Sequence, residues 1–71
     1  MFSIIIPVYN REWSIIRAID SAISFISNFN NGEIIIVDDC STDSSVTIIN
    51  KIIKNSNCNI KLIELKKKQW S

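Results

Sequence analysis

The chain has 71 residues, a formal net charge of +1 and no histidine. That length holds one domain at most, with a small core. The balanced charge leaves no basic stripe for nucleic acid, and the missing histidine removes the commonest general base and metal ligand.

The first predicted element is a strand from Phe2 to Val8. Its run Ile4-Ile5-Ile6 shows no polar alternation, which predicts burial on both faces, as in a parallel α/β sheet. Pro7 removes a backbone donor and fits the strand end better than its centre. Asn10 is placed to cap a helix over Arg11 to Ser27, with Glu12 in its first turn. Ile15, Ile19, Ala22, Ile23 and Ile26 form one apolar stripe, and Arg17, Asp20, Ser21 and Ser24 fall opposite.

Asn28 to Gly32 is turn-rich, with Asn31-Gly32 as the strongest signal. A second strand follows over Glu33 to Val37, again apolar without alternation. Asp38 to Thr42 is a loop. Ser41 or Thr42 caps a second helix, with Asp43 in its first turn. Val46, Ile49, Ile52 and Ile53 supply that helix's buried face, and Asn55 to Asn59 ends it. Ile60 to Leu65 forms a third strand, with Ile60 and Leu62 inward and Lys61 outward. Lys66 to Ser71 is a polar end without assigned structure.

The order β-α-β-α-β makes the fold class α/β, one half of a doubly wound parallel sheet. Isoleucine supplies 17 of the 71 residues, which suits a sheet flanked by helices. The cysteines Cys40 and Cys58 belong to no Cys-x-x-Cys pair. They read as free, reduced thiols of a cytoplasmic protein. No charged segment precedes the first strand, so no signal peptide is expected, and no apolar run approaches the ~20 residues of a membrane span.

Both apolar runs break abruptly into polar residues, Pro7-Val8-Tyr9-Asn10 and Asp38-Asp39-Cys40-Ser41. These lie at the carboxyl ends of parallel strands, the edge where open α/β sheets bind ligands. The candidate site residues are Pro7, Tyr9, Asp38 and Asp39. Neighbours at a strand end point to opposite sides, so Asp38 and Asp39 cannot form one tight dyad. One is expected to face the ligand and the other to brace the loop. A carboxylate accepting a base N–H contributes about 1.5–3 kcal/mol. The alternative is that both merely cap loop amides. Tyr9 offers a face for a stacked nucleobase, or simply covers the end of the core.

Ser41, Thr42 and Asp43 read as capping residues. Lys66, Lys67 and Lys68 read as a solvated tail, with a place near a diphosphate as the alternative. There is no Gly-x-Gly-x-x-Gly, no Walker loop, no Ser-His-Asp set and no Asp-x-Asp motif.

Taken together, Ser3-Ile-Ile-Ile-Pro-Val-Tyr-Asn10 and Glu33-Ile-Ile-Ile-Val-Asp-Asp-Cys-Ser-Thr-Asp43, with the helix between them, resemble the start of a family 2 glycosyltransferase. The resemblance covers essentially the whole chain. It implies a partial GT-A, Rossmann-like fold in which Pro7 and Tyr9 line a base pocket. It also implies that Asp39 accepts the base N3–H and that Asp38 supports the loop.

The implied reaction is transfer of a sugar from a nucleotide-diphosphate sugar, a UDP-sugar, to a polysaccharide or glycolipid acceptor. A divalent metal, Mn or Mg, is implied, with ligands outside these 71 residues. Residues 1–71 would then be the truncated amino-terminal part of the domain, inactive alone and prone to self-association. Its place would be the cytoplasm, with peripheral membrane association at the inner face. The family has glycine after the acidic pair where this chain has Cys40; a position requiring positive φ would be strained by it. The other readings are a non-catalytic remnant and a small receiver-like signalling module. A receiver's acidic pair should follow the first strand, whereas this one follows the second.

Overall fold

A computed structural model describes residues 2–66. Five elements follow in order: β1 (Phe2–Val8), α1 (Ile15–Ile26), β2 (Gly32–Asp38), α2 (Ser45–Asn55) and β3 (Ile60–Glu64). The strands form one parallel sheet in the order β1-β2-β3. The fold is thus the expected α/β half-sheet, a partial GT-A, Rossmann-like arrangement. Of the predicted polar end, Lys66 is exposed, and residues 67–71 lie outside the described residues.

Register puts Ile4, Ile34 and Ile60 side by side on one face, followed by Ile6, Ile36 and Leu62. These residues pack into a single core with Ile15, Ile19, Ala22 and Ile26 of α1 and Ile49 of α2. Both helices therefore cover the same face. Crossovers of one hand between strands laid down in sequence order produce this arrangement.

Burial on both faces, expected from the apolar runs, is not what this chain achieves. The other face carries Ile5 at 64% exposure and Ile63 at 48%. Burial along β1 alternates strictly although its apolar chemistry does not. Neither α1 nor α2 covers the second face. Its N-terminal end is polar instead: Ser3 Oγ donates to Glu33 Oε2 at 2.7 Å, and Lys61 Nζ lies 3.5 Å from Glu33 Oε1.

The helix boundaries also shift. α1 starts at Ile15, not Arg11, and Trp13 precedes it at 94% exposure. Its N-cap is Ser14, which makes no side-chain capping bond, and no acidic residue lies in its first turn. The N-cap of α2 is Ser44 rather than Ser41 or Thr42, again without a side-chain cap. The polar residues assigned to those caps are used elsewhere, between the two loops.

Gly32 marks the close approach of β2 to α1. A Cβ at that position would stand 2.2 Å from Ile26 Cγ1, 2.6 Å from Ile26 Cδ1 and 3.1 Å from Phe2 Cζ. Phe2 is itself fixed by edge-to-face contacts with Phe29 and Phe25, at centroid distances of 4.7 and 6.3 Å. Ile26 is buried and has little room to turn. Gly32→Ala is therefore expected to cost about 1–3 kcal/mol, the range for overpacking a filled site, read as a lower midpoint in urea denaturation.

Candidate nucleotide site at the strand ends

The carboxyl ends of β1 and β2 bring two loops together. Asp39 N–H donates to Val8 O at 2.8 Å, which seats Asp39 beside the residue that carries Tyr9. The side chains of Tyr9 and Asp39 are both exposed at this edge. Pro7 sits on the uncovered face, opposite Val37 in the register. Three of the four candidate residues thus present chemistry to solvent at one edge.

Asp38 differs. It is 2% exposed, on the helix-covered face beside Val8. Its Oδ2 accepts the Ser41 N–H at 3.0 Å, and its Oδ1 accepts the Ser41 hydroxyl. Its carbonyl accepts Leu65 N–H at 2.8 Å. Burial of this carboxylate is tolerated because both oxygens have donors, including one charge-assisted bond from backbone. The pleat that separates the two carboxylates gives them different surroundings, one enclosed in the loop and one open to solvent.

Cys40 follows with φ 59, in the left-handed region that glycine adopts at lower cost. Its thiol donates to Leu65 O at 3.2 Å and so holds the loop against the end of β3. Cys40 and Cys58 are both free and half-buried.

Residues that sequence reasoning assigned to their own helices tie the two loops to each other. Asn10 does not cap α1; its Oδ1 accepts Thr42 N–H at 2.7 Å and Asp43 N–H at 3.3 Å. Glu12 Oε1 accepts Ser44 N–H at 2.9 Å. In return, Asp43 Oδ2 accepts Glu12 N–H at 3.2 Å, and the buried Ser45 Oγ accepts Arg11 N–H at 2.8 Å. The amides ahead of α2 are thereby satisfied from the first loop. A phosphate bound there would have to displace Asn10 and Glu12, which weighs against that helix start as a phosphate site.

Burial pushes the Asp43 carboxyl up, but Ser45 hydroxyl and N–H and Glu12 N–H outweigh it and leave the group below its ordinary 3.8. A depressed carboxylate contributes stability that is fully present above the unfolded value and is lost as pH falls through the folded one. The junction of the two loops is therefore expected to loosen below about pH 4. Amide shifts of Glu12 and Ser45 should move together in an acid titration, and independent movement would contradict the link.

Among the described residues, no group of three or more acidic, cysteine or histidine side chains could hold a metal ion. Asp38 is buried in its loop and Asp39 is exposed on the opposite side of the pleat, so the two carboxylates do not converge on one site. A groove of about 370 Å³ lies between α1 and α2, lined by Asp20, Ile23, Lys51, Ile52, Asn55 and Ser56. None of those residues belongs to the strand-end loops.

A parallel sheet with open polar loops at its carboxyl edge is the arrangement in which open α/β sheets bind ligands. The family is shown by comparison: residues 3–71 match the model of glycosyl transferase family 2, and the chain belongs to that family. It is 45% identical over 65 residues to the UDP-Glc:alpha-D-GlcNAc-diphosphoundecaprenol beta-1,3-glucosyltransferase WfaP of Escherichia coli, covering 82% of this chain and 25% of that protein. An uncharacterized glycosyltransferase of Haemophilus influenzae is 45% identical over 53 residues, covering 75% and 20%. The crystal structure of Staphylococcus aureus TarS 1–349 superposes with a TM-score of 0.77 at 33% identity, over 94% of this chain and 19% of that one. The chain spans a quarter or less of the length of these relatives.

Proposed function

We propose that residues 1–71 are the amino-terminal, nucleotide-binding part of a glycosyltransferase domain. The parent reaction is transfer of a sugar from a nucleotide-diphosphate sugar, a UDP-sugar, to a glycan or glycolipid acceptor. Asp39 accepts the base N3–H, Tyr9 and Pro7 line the base pocket, and Asp38 holds the loop. The observation that carries this reading is the Asp39 N–H···O Val8 bond, which joins the two strand ends where Tyr9 and Asp39 stand exposed.

The donor class is supported by the UDP-Glc in the name of the Escherichia coli relative, and the acceptor class by its diphosphoundecaprenol-linked sugar. A divalent Mn or Mg would stabilise the leaving diphosphate as a Lewis acid. The described residues do not fit such an ion, so its ligands belong to the remainder of the domain. Among the described residues, no helix is long and apolar enough to cross a membrane. A cytoplasmic enzyme working at the inner membrane face agrees with a lipid-linked acceptor.

By itself the chain binds nucleotide weakly, does not transfer sugar, and associates with a second copy across the uncovered face of Ile5, Ile35, Val37 and Ile63. Titration of the purified chain with UDP, followed by amide shifts, tests the assignment. Movement of Tyr9 and Asp39 is expected, and a titration that moves neither rejects the nucleotide site. Turnover by the 71 residues alone would reject the division of labour.

A further inference from the structure

Asn10 does more than any other exposed side chain among the described residues to join the two loops. It sits directly after Tyr9, at φ 50. Its Oδ1 receives the Thr42 and Asp43 amides at 2.7 and 3.3 Å, with the Thr42 hydroxyl at 3.4 Å. Its own N–H donates to Ser41 Oγ at 2.9 Å, and that hydroxyl donates onward to Asp38. One residue thus connects the backbone beside Tyr9 to the loop that carries Asp39.

We propose that Asn10 is a positioning residue for nucleotide recognition, fixing the Tyr9 wall of the base pocket against the Asp39 wall before ligand arrives. The proposal rests on the nucleotide-binding reading above. The Asp39 N–H···O Val8 bond joins the strand ends, and Arg11, Glu12, Asp43 and Ser45 join the loops further out. Between these points Asn10 is the residue next to Tyr9 that grips the loop carrying Asp39. Its contacts hold the stretch nearest the two walls, while the outer bonds keep the loops together without it. Ordering the walls in advance lowers the entropy lost on binding.

Two properties of asparagine serve this role. It tolerates the left-handed backbone better than most residues, and its short side chain carries an acceptor. Glycine keeps the backbone and loses the acceptor. Aspartate keeps both. Alanine loses the acceptor and strains the backbone.

The three variants separate positioning from folding. Amide hydrogen exchange on the chain, with and without UDP, is measured alongside UDP affinity. In Asn10→Gly, the Thr42 and Asp43 amides should exchange faster while Ile34 and Ile36 keep their protection, and UDP affinity should fall about tenfold. Asn10→Asp should stay within about threefold of wild type. Asn10→Ala should lose at least as much as Asn10→Gly; if it loses protection in the strands as well, Asn10→Gly decides.

Unchanged exchange at Thr42 in Asn10→Gly would overturn the clasp. Faster exchange with unchanged UDP affinity would overturn the positioning role and leave the nucleotide site standing. Wild-type chain that ignores UDP would overturn the site itself, and the positioning role with it.

Discussion

Asp39→Ala is expected to lower UDP affinity by about ten- to a hundredfold while leaving the thermal transition of the chain where it was. The structural contribution of Asp39 comes from its N–H, donated to Val8 O at 2.8 Å, and any residue but proline supplies that. Its side chain is exposed. The affinity loss corresponds to one charge-assisted hydrogen bond of about 1.5–3 kcal/mol. Asp38→Ala makes the contrast. It strips two acceptors from Ser41 in a site that is 2% exposed, so it should weaken folding and binding together. Calorimetric titration with UDP and a melting curve on each variant check both statements. Equal affinity in wild type and Asp39→Ala would remove Asp39 from the pocket. A large drop in melting temperature would make its role structural.

What could be read from the residues, and what could not, divides by sequence distance. The strands, the helices and their inward stripes were legible because hydrophobic period is a local property: Ile15, Ile19, Ala22 and Ile26 are all buried, as their spacing requires. The opposed environments of Asp38 and Asp39 follow from the pleat alone.

The cap assignments failed because Asn10 and Glu12 have partners 32 to 33 residues away, and the Ser41 hydroxyl is taken by Asn10 N–H and Asp38. Ser, Asn and Asp bond equally well to local and distant amides, and only the register of β1 on β2 brings these loops together. Gly32 read as a turn signal; its role is to let Ile26 approach, which local pattern cannot show. The expectation of two buried faces failed for another reason. Ile4 and Ile5 are chemically identical neighbours, and nothing in either says which face the chain's own helices will cover.

That last point carries the second large effect. Ile36 is 0% exposed at the centre of the covered face, whereas Ile5 is 64% exposed on the other. Ile36→Ala is expected to cost about 2–5 kcal/mol, lost transfer energy plus a cavity. For a chain this small that is most or all of its stability, so the variant should be largely unfolded at 25 °C. Ile5→Thr keeps the β-branched shape and should change stability by less than about 0.5 kcal/mol in dilute solution.

Concentration then separates two states of the open face. If a second copy covers it, mass action stabilises the folded chain more as protein rises, and Ile5→Thr removes part of that gain. The gap between wild type and Ile5→Thr in urea midpoint should therefore widen with concentration, and sedimentation should show less dimer in the variant. A gap that is large and constant down to the lowest concentration would mean that Ile5 is buried within the single chain, and the one-sided core would be wrong.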